Sequence, residues 1–245
     1  MWDDQIGVFG ERYRVIRCDL PGFGASRLPA SGPFAMRTTI ARFLEEVEAT
    51  PVILIGCSFG ARVSLELAVD RPELVRALIL VCPGIGGYAW SEVIESAEGE
   101  IEQALERGDL DTAAEVDVRV WVDGPRRTSE QVNPRVREKA LSMARGVYEV
   151  ATSEPEPDLT PIPLDPPALD RLGEITIPTL IITGELDQPD IMTIARMLVE
   201  GIPETRMVTM SGVAHLPNME QPDAFNEIVL SFLDEMMDGS RVGTG

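Results

Sequence analysis

The chain has 245 residues, 44% of them hydrophobic, and a formal net charge of −20. That length suits one large α/β domain or two small ones, and the acidic excess argues against nucleic acid or an anionic membrane surface as partner. No apolar run approaches the roughly 20 residues that span a bilayer, and Met1-Trp2-Asp3-Asp4 opens nothing like a signal peptide, so a cytoplasmic protein is expected.

Short apolar runs bounded by turn signals alternate with helical patterns, which predicts a mostly parallel, doubly wound sheet with crossover helices. Strands are predicted over 13–19, 51–56, 77–82, 179–183 and 205–210, and helices over 38–48, 59–69, 190–200 and 223–237. Between residues 86 and 150 the alternation breaks. There 92–106, 110–122 and 134–150 read as amphipathic helices with no strand between them. Such an insertion after the third strand predicts a helical cap. The prolines of 154–157 and 164–167 forbid a helix and predict an extended linker back to the sheet. The organisation expected is a core of 1–85 and 168–238, a cap with its Pro-rich return linker over 86–167, and a small polar tail, 239–245, that is disordered.

The cysteines, Cys18, Cys57 and Cys82, lie within or just beyond apolar stretches, and their odd count predicts no disulfide framework. His215 is the single histidine and there is no C-x-x-C spacing, so neither a metal nor another cofactor is expected.

The most informative segment is Gly56-Cys57-Ser58-Phe59-Gly60, which lies between a buried strand and a helix. A serine on a sharp strand-to-helix turn exposes its hydroxyl at the end of the sheet, and flanking glycines relieve crowding in that turn. Ser58 is the candidate nucleophile and the N–H of Phe59 the candidate oxyanion donor. Cys57 lies off the centre of the turn and is read as structural. Ser58 needs a base, and His215, on a loop after the last strand, is the one imidazole that could serve. Gly184-Glu185-Leu186-Asp187 ends another strand and makes Asp187 the candidate acid to orient that histidine. The alternative role for Asp187 is a turn or helix cap. Asp190 and Glu185 are lesser candidates for the acid.

These residues, in the chain order Ser58, Asp187, His215, resemble the α/β-hydrolase superfamily. Asp19-Leu20-Pro21-Gly22-Phe23-Gly24-Ala25-Ser26 looks like its D-x-x-G-x-G-x-S loop, Gly56–Gly60 like its nucleophile elbow, and Gly212–His215 with Glu220-x-Pro222 like its histidine loop. The 86–167 insertion resembles the cap of enol-lactonase-like and esterase-like members. In that family an earlier strand ends in His-Gly, and the following loop gives the second oxyanion N–H. With His215 the only histidine, that loop is not expected in its usual form, and the comparison implies that the first family strands, one of them central, are missing. The resemblance therefore implies an N-terminally shortened α/β-hydrolase.

The activity implied is hydrolysis of a small-molecule carboxylic ester or lactone through an acyl-enzyme. Tyr88, Trp90, Trp121, Met143 and Tyr148 are candidates to line the substrate pocket. C–C bond hydrolysis of a diketone would use the same triad. A non-catalytic ligand-binding homologue is the alternative from another class. Dehalogenase and epoxide hydrolase chemistry fit poorly, because those relatives carry aspartate where Ser58 stands.

Overall fold

A computed structural model describes residues 1–153 and 157–242. Strands β2 (Val52–Cys57), β3 (Val75–Val81), β5 (Thr179–Gly184) and β6 (Thr205–Met210) form a four-stranded parallel sheet in the order β2-β3-β5-β6. The period of two along β3 explains its two faces. Leu78 and Leu80 join a core with helices α2 (Met36–Glu46), α3 (Phe59–Asp70) and α7 (Pro189–Gly201). Ala77, Ile79 and Val81 join the other, with α1 (Asp3–Gly10) and α9 (Pro222–Val242). A doubly wound α/β fold results.

One predicted strand does not form. Residues 14–19 are exposed and carry no ladder, and β2 is the edge of the sheet. Between them lies a cavity of about 570 Å³, whose lining includes Tyr13, Val15, Ile16, Phe43, Ile53 and Ile55. An apolar run becomes a strand only when a neighbour takes its N–H and C=O groups, and 14–19 has none beside it.

A second, two-stranded sheet was not expected from the sequence. In it β1 (Ser31–Phe34) pairs in parallel with β4 (Asp158–Pro161), Ser31 opposite Asp158, so part of the return linker is a strand. Both are four residues long and contain proline, which leaves little pattern to read. Residues 154–156 of the predicted linker lie outside the described residues.

Between β3 and β5 come α4 (Glu92–Glu106), α5 (Leu110–Val118) and α6 (Pro134–Ser153). At Arg119–Asp123, α5 widens into a π-helical turn, a device often found at functional sites. Val118, Val122, Val136 and Ala140 of this insertion pack on Leu216 and Met219, in and beside the short helix α8 (Pro217–Glu220). Helix α9 runs to Val242, past the start of the predicted tail, and 243–245 lie outside the described residues. Among the described residues no helix is long and apolar enough to cross a membrane.

Candidate active site

Ser58 joins the end of β2 to the start of α3 with φ +53° and ψ −112°, a conformation rarely tolerated by a residue with a side chain. Neighbouring backbone holds it there. Its N–H donates to Val81 O at 2.9 Å, and its carbonyl accepts from Ala61, Arg62 and Gly84. A Cβ on Gly56 would lie 2.4 Å from the Gly60 carbonyl, so only glycine fits. Gly60 itself faces open space, so the crowding expected on both sides of the serine falls on Gly56 alone. Phe59 is the first residue of α3, where a backbone N–H has no intrahelical acceptor. The Phe23 ring stacks on that of Phe59 at 5.8 Å and brings the 19–26 loop over the turn. A Cβ on Gly24 would overlap the Asp19 carboxylate, which accepts from Ala25 N at 3.0 Å.

Asp187 and His215 are brought together. Asp187, in the turn after β5, is 2% exposed, and His215 is 4% exposed. The imidazole Nδ1 lies 2.8 Å from Asp187 Oδ2 and 3.1 Å from Oδ1, and Oδ1 also accepts from Gln188 N at 2.7 Å. The rival acids are engaged elsewhere. Asp190 accepts from Ser91 N, Ser91 Oγ and the Tyr88 hydroxyl, and Glu185 accepts from Gly212 N. Gly184 permits the encounter, because a Cβ there would sit 2.0 Å from Ala214 O.

Cys57, the neighbour of Ser58, directs its Sγ to the His215 carbonyl at 3.6 Å, which seats the histidine loop against the end of β2. Among the described residues no hydrogen bond joins the imidazole to Ser58 Oγ. One group of three could reach a metal ion, Cys82, Asp187 and His215, with ligand atoms within 4.8 Å of one another. Asp187 and His215 are already hydrogen-bonded to each other, and the Cys82 thiol donates to Ala214 O at 3.7 Å.

The predicted pocket residues separate. Trp121 lies against the histidine, ring centroids 4.6 Å apart, and its carbonyl accepts from His215 N at 3.3 Å. Trp90 stands edge-on to Trp121 and Tyr88 edge-on to Trp90, making a row of aromatics that leads away from His215. Trp121 and Tyr148 line a cavity of about 400 Å³ together with Asp117, Ile101 and Leu105. Met143 does not line it; it packs with Val118 and Leu216 in the seam between insertion and sheet.

Four contributors escaped sequence reasoning or went unassigned. Gln188 donates to Val120 O at 2.6 Å and ties the acid turn to the π-helical turn. Arg127 forms a buried two-pronged pair with Glu220, at 2.6 and 3.3 Å, and Glu220 accepts from Ala214 N beside the histidine. Burial pushes the Asp117 carboxyl up to about 6, and the charge of His215 opposes that shift. Only Glu220, in the Glu-x-Pro pattern, had a sequence signal; long-range pairing decided the other three.

The model of the alpha/beta hydrolase family matches residues 1–228, and the chain belongs to that family. It is 26% identical to 3-oxoadipate enol-lactonase 2 of Acinetobacter baylyi, covering 94% of this chain and 82% of that protein. It is 29% identical to the pimeloyl-acyl-carrier-protein methyl ester esterase of Hamiltonella defensa, over 94% and 86% of the two chains. Among solved structures, the enol-lactonase from Burkholderia xenovorans LB400 superposes with a TM-score of 0.73 at 20% identity, over 95% of this chain and 85% of the other. The class to which fold and relatives assign the chain is thus that of hydrolases.

Proposed function

We propose that the chain is a serine hydrolase of a small-molecule carboxylic ester or lactone, working through Ser58, His215 and Asp187. The observation that carries this reading is the buried Asp187–His215 pair lying at the same end of the sheet as the strained Ser58 turn. The carboxylate accepts from Nδ1, which leaves the Nε2 lone pair as the base. Ser58 Oγ attacks the carbonyl carbon as Nε2 takes its proton, and the Phe59 N–H donates to the developing oxyanion. The imidazolium returns the proton to the departing alkoxide. Water, deprotonated by the same nitrogen, then releases the acid and restores Ser58. The contact between serine and base tightens on substrate binding, as in other such sites.

The helical insertion acts as a cap, and its cavity beside Trp121 holds the substrate. The carboxylates of Glu98, Glu102, Glu106 and Asp117 line that cavity, and no basic side chain is among its lining residues. A neutral ester is therefore preferred over one that bears a second carboxylate.

The test is hydrolysis of p-nitrophenyl esters of short and medium acyl length by the wild-type chain and by Ser58→Ala. Loss of about 10⁴–10⁶-fold in kcat is expected. A folded wild-type protein with no turnover above the variant on any of these esters overturns the reading.

A further inference from the structure

The insertion holds a carboxylate that the triad chemistry leaves without a use. Asp117, on α5, stands in the wall of the cavity of about 400 Å³, and the rings of Trp121, one turn further along, and Tyr148, on α6, stand in the same wall. Among the described residues the Asp117 carboxylate has neither a hydrogen bond nor an ion pair. Burial, and after it the charge of Asp117, raises the Tyr148 hydroxyl above its ordinary range, so the ring beside the carboxylate is uncharged. Glu98, Glu102 and Glu106 follow at four-residue spacing along α4 and form the exposed side of the cavity.

We infer that this cavity receives an organic ammonium group, seated on the Trp121 and Tyr148 rings with Asp117 as its counter-ion. A carboxylate withdrawn from water is unfavourable unless it is paired. The basic side chains of the surrounding helices are engaged with other acids: Arg119 with Glu100, Arg145 with Asp111, and Arg137 with Glu115 and Asp123. The partner of Asp117 is therefore supplied from outside the chain. A hard metal ion takes six or more oxygen ligands, whereas this wall offers two aromatic rings and the aliphatic surface of Ile101 and Leu105. An alkylated ammonium matches rings and carboxylates together. The Trp121 ring also lies 4.6 Å from that of His215, so a cation held on Trp121 keeps the rest of its molecule close to the base. The ester hydrolysed then carries a positive charge in the part that enters the cap. That substrate class rests on the hydrolase reading; the ammonium site does not.

Two measurements separate the site from the chemistry. In the first, tetraethylammonium is titrated into wild type, Asp117→Asn and Tyr148→Leu, followed by the ring resonances of His215, the only histidine. Wild type should bind saturably, with Kd raised about 10-fold in Asp117→Asn and about 3-fold in Tyr148→Leu. In the second, Ser58-dependent hydrolysis of acetylthiocholine is compared with that of its uncharged isostere, 3,3-dimethylbutyl thioacetate. The cationic thioester should be favoured about 10-fold in kcat/KM, and Asp117→Asn should reduce that preference to about 2-fold or less. No saturable binding by folded wild type, or binding that both variants leave unchanged, would reduce the effect to attraction by an acidic surface and overturn the site. Ser58-dependent hydrolysis of the two thioesters with equal kcat/KM would overturn the substrate class and leave the hydrolase reading standing. Asp117-dependent binding without Ser58-dependent turnover of any ester would remove the hydrolase reading and leave the ammonium site in place.

Discussion

On one flank of the sheet, Gly184 runs so close to the histidine loop that a Cβ would meet the Ala214 carbonyl at 2.0 Å. On the other flank, residues 14–19 pass β2 across a cavity of about 570 Å³ with no ladder between them. The first flank carries Asp187 and His215; the second carries Ser58, at the tip of the edge strand. The proposed acid and base are thus held by backbone packed against backbone. The proposed nucleophile depends on the single ladder between β2 and β3 and on bonds made by its own turn. Two parts of one site can therefore rest on supports of different stiffness, and the differences below measure that contrast.

The largest effect is expected at Gly184. Gly184→Ala forces the acid turn away from the histidine loop and should cost about 3 kcal/mol or more by urea unfolding. Gly146→Ala, in α6 with nothing within 4 Å of the new methyl, should instead stabilise by about 0.5–1 kcal/mol. Equal effects at the two glycines would dissolve the contrast.

Next in size are two isoleucines that differ in setting. Ile182, fully buried in β5, should cost about 2–5 kcal/mol when cut to alanine. Ile16, 37% exposed beside the open flank, should change stability by less than about 0.5 kcal/mol. Hydrogen exchange sharpens the same point. Amides of 14–19 should exchange within the fast, locally opened class while those of β3 and β5 persist to global unfolding. Protection of 14–19 equal to that of β5 would show the flank to be closed.

A smaller effect is expected at Asp117. Burial pushes its carboxyl from the ordinary 3.8 up to about 6 in the folded chain, so the ionised form is disfavoured by folding. The penalty is absent below pH 3.8, grows as pH rises to about 6, and is constant above it. Asp117→Asn should therefore be more stable than wild type at pH 7, by up to about 2 kcal/mol, with the gain gone by pH 4. Chemical unfolding at the two pH values checks the sign.

How much could be read in advance follows from the range of the forces involved. The G-x-S-x-G turn, the strand runs 51–56, 77–82, 179–183 and 205–210, and the order Ser58, Asp187, His215 were legible because local pattern and period determine them. Helix 92–106 was legible with its bounds, because an amphipathic stripe marks it without reference to the rest of the chain. Residues 13–19 misled for the complementary reason: their apolar run predicts a strand, but a strand exists only through a partner's hydrogen bonds, and none lies beside it. The same limit hid the β1–β4 pair, the Arg127–Glu220 bridge and the bond from the Cys82 thiol to Ala214 O, whose partners lie 93 and 132 positions away in the last two cases. Sequence alone determined which residues are candidates to carry chemistry and where the chain turns. Tertiary structure decided which groups meet, because hydrogen bonds and close packing act over a few ångströms in space and ignore distance along the chain.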